Sequence, residues 1–104
     1  MSKVRLCSID ELTAEVASRF DVDGHRIAVV KIGDTVYAIG DRCSHADFSL
    51  SEGDVYADEL ELECPQHGST FSLVDGEPQT LPATKPVPVY ETSVDGDDVY
   101  LEIR

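Results

Sequence analysis

A chain of 104 residues has room for one domain with a modest hydrophobic core. Its 21 Asp and Glu against 8 Lys and Arg give a net charge of -13, a surface that repels phosphate backbones and anionic lipid, so nucleic acid and membrane are excluded as partners. The longest apolar run, Ile27 to Val30, falls far short of the roughly 20 residues of a membrane-spanning helix.

In chain order, Lys3 and Arg5 precede neither an apolar signal region nor a small-residue cleavage site, so the expected location is cytoplasmic. Cys7 is expected to be a small buried hydrophobe on a first strand. Ser8-Ile9-Asp10-Glu11 has the S-x-x-E form of a capping box and predicts a single helical turn. Val16, Ser18, Phe20 and Val22 alternate up to Asp23-Gly24, which predicts a strand ending in a turn. His25 follows that turn as an expected exposed strand residue. Residues 26–32 and 35–39 flank Gly33-Asp34 and form the clearest hairpin.

Residues 46–58 predict loop and a short strand, with a turn at Gly53. Residues 59–63 alternate Glu and Leu, predicting a strand that delivers Cys64 at its end. Residues 70–74 and 77–80 flank Asp75-Gly76 as a further hairpin, and Pro82, Pro86 and Pro88 break the chain before an edge strand. A last hairpin is predicted over 89–94 and 99–103, turning at Asp95-Gly96-Asp97. Many short strands at regular spacing, with no long helix, indicate an all-β protein of antiparallel sandwich or barrel type.

Cys43-Ser44-His45 and Cys64-Pro65-Gln66-His67 concentrate the chemistry. Each pair supplies one soft thiolate and one imidazole, and 18 residues separate the two motifs. Two cysteines on one iron and two histidines on the other is the ligand set of a Rieske [2Fe–2S] centre. Structural zinc uses the same donors, but ordinarily groups its cysteines two to four residues apart with the histidines later. Here each loop mixes one of each, and the first gap is a single residue, which favours iron–sulfur. Three cysteines, with no secretion signal, argue against a disulfide framework.

On these residues the chain resembles the small soluble Rieske-type ferredoxins of bacterial dioxygenase systems. Besides the two ligand motifs, Tyr37-Ala38, Leu50, Gly53, Gly68-Ser69, Phe71, Asp75-Gly76 and Pro82-Ala83 fit the family's pattern. The 18-residue spacer is somewhat longer than usual, and the expectation is a longer hairpin over 54–61. The resemblance implies three antiparallel sheets with cluster-binding loops at one tip. Cys43 and Cys64 would hold the inner iron, and His45 and His67 the outer one, where the electron leaves.

The implied function is one-electron transfer from a flavin-dependent ferredoxin reductase to a terminal non-haem iron oxygenase, with the carrier a monomer and not itself an enzyme. An accessory or sensing protein linked to cluster assembly, or a small subunit of a larger reductase, would use the same ligands. No basic residue lies between Arg42 and Lys85, whereas Asp47, Glu52, Asp54, Asp58, Glu59, Glu61, Glu63, Asp75 and Glu77 do. Such a stretch is either a solvated surface or a negative collar that steers basic docking faces to the centre. Phe48 and Gln66 stand where respiratory Rieske proteins carry a disulfide, and Phe71 replaces a hydroxyl donor. Fewer hydrogen bonds to sulfur predict a potential near about -150 mV, the low end of the Rieske range.

Overall fold

In the run Arg26-Ile27-Ala28-Val29-Val30-Lys31, the four central residues are completely buried although they are consecutive. Alternate strand residues point to opposite faces, so such a run requires a sheet covered on both sides. The computed structural model describes residues 2–42, 49–65, 68–80 and 85–103 and supplies that arrangement.

Among the described residues the strands are β1 (Ser2–Ser8), β2 (Ala17–Val22), β3 (His25–Ile32), β4 (Thr35–Gly40), β5 (Val55–Tyr56), β6 (Glu61–Glu63), β7 (Thr70–Ser72), β8 (Val89–Tyr90), β9 (Thr92–Asp95) and β10 (Asp98–Ile103). They form three antiparallel sheets in the orders β1-β10-β9, β2-β3-β4-β8 and β5-β6-β7. The four-stranded sheet is the middle layer. On one face Ile27, Val29, Val36 and Ala38 pack with Cys7, Leu12, Val99, Leu101 and Ile103. On the other, Ala28, Val30 and Ile39 pack with Leu50, Leu62, Cys64, Phe71, Leu73 and Val87. Each fully buried Val, Leu or Ile contributes about 1.5–3 kcal/mol, so both interfaces stabilise the middle layer substantially.

Several predicted elements form as expected. The hairpins around Asp23-Gly24 and Gly33-Asp34 close with Val22 opposite His25 and Ile32 opposite Thr35. Residues Ile9–Glu11 make one 3-10 turn, with the Ser8 N–H donating to Glu11 Oε2 at 2.7 Å. Cys7 is buried as expected; an irregularity between Arg5 and Cys7 sets it, rather than Leu6, opposite Val99.

Three predicted strands are shorter or divided. Over 59–63 only Glu61–Glu63 is strand, because 57–60 makes the reversal from β5 and Leu60 takes a φ of 56° there. Its side chain packs against the same core as Leu62, as the Glu-Leu alternation implies, but does so from a turn. Over 70–74 the strand stops at Ser72. The return over 77–80 is a single bridge between Phe71 and Pro78, flanked by the Ser72 N–H donating to the Glu77 carbonyl at 2.9 Å and the Gln79 N–H donating to the Thr70 carbonyl at 2.7 Å. The predicted strand over 89–94 splits at Glu91. Val89–Tyr90 borders β4 in the middle sheet, and Thr92–Asp95 joins β10 in another. The edge strand predicted after the prolines is thus β8.

Candidate metal centre

β6 ends in Cys64, whose backbone closes the second ligand loop on itself. Its N–H donates to the Ser69 carbonyl at 2.7 Å, and its own carbonyl accepts the Gly68 N–H at 3.0 Å. Gly68 holds a φ of 74°, a left-handed conformation that glycine adopts without steric cost. Thr80 ties the following segment to this loop: its Oγ1 accepts the Thr70 N–H at 2.9 Å and donates to the Gly68 carbonyl at 3.4 Å. The Cys64 side chain has no solvent exposure and sits among Leu50, Leu62 and Phe71.

The first ligand loop leaves β4 through Asp41 and Arg42. Its ends are fixed by an antiparallel bridge between Arg42 and Ser49 and by the Leu50 N–H donating to the Asp41 carbonyl at 2.6 Å. A 3-10 turn, Leu50–Glu52, then brings Gly53 onto β6. A methyl group at Gly53 would overlap the Glu63 carbonyl oxygen, so only a residue without Cβ permits this approach. The Glu63 N–H donates to the Asp54 carbonyl at 2.9 Å beside it. The return from the first loop is therefore locked to the residue preceding Cys64.

Of the four predicted ligands, Cys64 is described and buried, whereas Cys43, His45 and His67 lie outside the described residues, as do Asp47, Phe48, Gln66, Pro82 and Ala83. The remaining histidine, His25, is not the exposed strand residue expected. It is half-buried, its Nδ1 lies 3.1 Å from the Tyr90 hydroxyl, and the two rings meet edge to face. The middle sheet brings β8 beside β4 and so supplies a partner 65 residues away, which local pattern does not show.

The acidic stretch shapes the surface beside the second loop. Glu59, Glu61 and Glu63 line an open groove of about 320 Å³ with Tyr56, Gly68, Thr70 and Thr80. The Tyr56 hydroxyl is bonded to Glu63, and this bond, with neighbouring carboxylates, raises the phenol's pKa above its ordinary value. Sequence reading did not single out Asp41, which is fully buried and faces Arg26 and Arg19. Its one sequence signal is an acidic residue lying between glycine and arginine just before Cys43.

A buried thiol on an apolar floor, at the root of a C-P-Q-H loop, fits a soft-metal centre shielded from water on its sulfur side. Three antiparallel layers with such a loop on the third define a small β domain of the iron–sulfur class. The chain belongs to the Rieske [2Fe-2S] domain family, whose model matches residues 2–91. A 3-phenylpropionate/cinnamic acid dioxygenase ferredoxin subunit of Shigella boydii serotype 4 (strain Sb227) is 36% identical over 103 residues, covering 99% of this chain and 95% of that protein. The ferredoxin of carbazole 1,9a-dioxygenase from Nocardioides aromaticivorans IC177 superposes with a TM-score of 0.96 at 40% identity, over 100% of both chains. A structure described as a complex of reduced oxygenase and oxidized ferredoxin in carbazole 1,9a-dioxygenase matches with a TM-score of 0.87 and 33% identity, covering 95% of this chain and 91% of the other. Among the described residues no helix is long and apolar enough to cross a membrane.

Proposed function

We propose that this chain is a one-electron carrier that accepts an electron from a flavin-dependent ferredoxin reductase and passes it to a terminal non-haem iron oxygenase. Cys43, His45, Cys64 and His67 are the proposed ligands, and the carrier works as a cytoplasmic monomer. Bound there, a [2Fe–2S] cluster supplies a reversible one-electron couple. The observation that carries the reading is Cys64: a motif cysteine with no solvent exposure, at the root of a loop closed by its own backbone bonds. Whole-length similarity to dioxygenase ferredoxins supports the role, and the oxygenase–ferredoxin relative supports an oxygenase as acceptor.

The chain's own residues have separable tasks. Under the proposed assignment Cys43 and Cys64 would hold one iron, and His45 and His67 the other, from which the electron would leave. Ser69 and Thr70, both buried, shape the wall next to Cys64. Glu59, Glu61 and Glu63 give an approaching cationic surface a negative target close to the second loop.

Iron and sulfide analysis with low-temperature EPR of the dithionite-reduced protein tests the assignment. The expected result is two irons per chain and a rhombic signal whose average g is lower than that of an all-cysteine cluster. Cys43→Ser, His45→Ala, Cys64→Ser and His67→Ala each lose that signal, while Cys7→Ser keeps it. A colourless protein that binds only zinc would overturn the reading.

A further inference from the structure

Asp41 is fully buried, and four segments of the chain converge on it. Its N–H donates to the Arg26 carbonyl on β3 at 2.9 Å. Its carbonyl accepts from Leu50, and its Oδ1 accepts the Ser51 N–H at 2.9 Å. Its Oδ2 makes no hydrogen bond among the described residues, but faces Arg26 Nη2 at 3.7 Å and Arg19 Nε at 3.9 Å. Arg26 also donates from Nη2 to Ser49 Oγ at 3.1 Å. Asp41 therefore holds the far end of the first ligand loop at two points, Leu50 through its backbone carbonyl and Ser51 through its carboxylate, while its own backbone forms the near end.

Three of the chain's eight basic residues, Arg19, Arg26 and Arg42, gather at this root in a molecule of net charge -13. Arg19 is partly offset by Asp21, at 3.2 Å and exposed. Arg26, half-buried, faces the fully buried Asp41. Nearby positive charge favours addition of an electron, and a buried charge is screened far less than a surface one.

We infer that Asp41 is a positioning residue for the first ligand pair, tying both ends of its loop, and that its charge, set against Arg26 and Arg19, holds down the centre's reduction potential. The inference rests on the ligand assignment proposed above. Asp41 lies two residues from Cys43, a span of at most about 7 Å of extended chain, so its charge acts at close range. The β-carboxylate does two things: Oδ1 holds Ser51, and Oδ2 offsets Arg26 and, together with Asp21, Arg19.

Spectroelectrochemical titration of holoprotein variants separates these tasks. Asp41→Asn keeps an oxygen for Ser51 and removes the charge, and the potential rises by an amount corresponding to about a tenfold change in the one-electron equilibrium constant, about 59 mV. Arg26→Gln lowers the potential, and this opposite shift carries the test if Asp41→Asn does not fold. Asp21→Asn removes a surface charge and shifts the potential less than half as far as Asp41→Asn. Asp41→Ala, which loses the Ser51 tie, releases iron to a chelator at least about tenfold faster than wild type. Unmoved potentials in both Asp41→Asn and Arg26→Gln, shifts of one sign, equal shifts in Asp41→Asn and Asp21→Asn, or iron release from Asp41→Ala at the wild-type rate would overturn the inference. Wild-type protein lacking iron and the rhombic signal would instead sink the proposed function, so the two failures are distinguishable.

Discussion

The Cys7 thiol shows how one buried group links the fold to pH. Burial, with Glu11 adding to it and Arg5 opposing, raises its pKa above the ordinary value of 9.0. The folded protein then holds this proton more tightly than the unfolded chain. The corresponding stability is complete below the unfolded pKa and is lost as pH rises through the folded one. Denaturant unfolding followed from neutral pH to about pH 10 should therefore show stability falling in the alkaline range. Cys7→Ala should reduce that fall while costing about 1–2 kcal/mol at neutral pH from the lost packing. Tyr90, whose pKa burial also raises, leaves a residual slope at higher pH. The burial of Cys7 was legible because a lone cysteine on a first strand behaves as a small hydrophobe. The place of Asp41 was not legible, because a carboxylate in sequence gives no sign that Arg19 and Arg26 arrive from two other strands.

Between elements, the decisive join is the approach of the 50–53 turn to β6. Gly53→Ala places a methyl on the Glu63 carbonyl oxygen, and backbone cannot yield as a flexible side chain does. The expected loss is about 2–4 kcal/mol, read as a lowered midpoint in denaturant, with earlier loss of the visible absorption of the bound centre. The sequence marks Gly53 as a turn, but its reason for being glycine is contact with a strand ten residues later. Hairpins were legible wherever two-residue turns separated β-branched runs, as at β2-β3 and β3-β4. Legibility failed where tertiary placement decides. Residues 89–94 alternate as one strand, yet the chain changes sheets at Glu91 so that β8 borders β4 while β9 joins β10. The apolar run of β3 does not by itself distinguish a sheet covered on both faces from another buried segment.

At the scale of the whole molecule, charge is the property most open to measurement. The groove formed by Glu59, Glu61, Glu63 and Tyr56 lies beside the loop that carries Cys64. If that surface steers a basic partner, the second-order rate of reduction by the proposed reductase should fall about tenfold from low to high salt. Neutralising the pair Glu61→Gln and Glu63→Gln should flatten the dependence without changing the EPR signal. A rate indifferent to salt would leave the carboxylates with a solubilising role only. The domain's class was legible from two motifs of two donors each and the hairpin rhythm. The layer order was not, because it depends on which faces of β3 and β4 meet which sheet.

Ser2 and Ile103 stand opposite each other across β1 and β10, in the layer on the far side of the middle sheet from Cys64. A cross-link between β1 and β10 would staple this outer layer without touching either ligand loop. That layer is also a handle: tethered there to an electrode, the molecule would turn the Cys64 side of its middle sheet toward the solution.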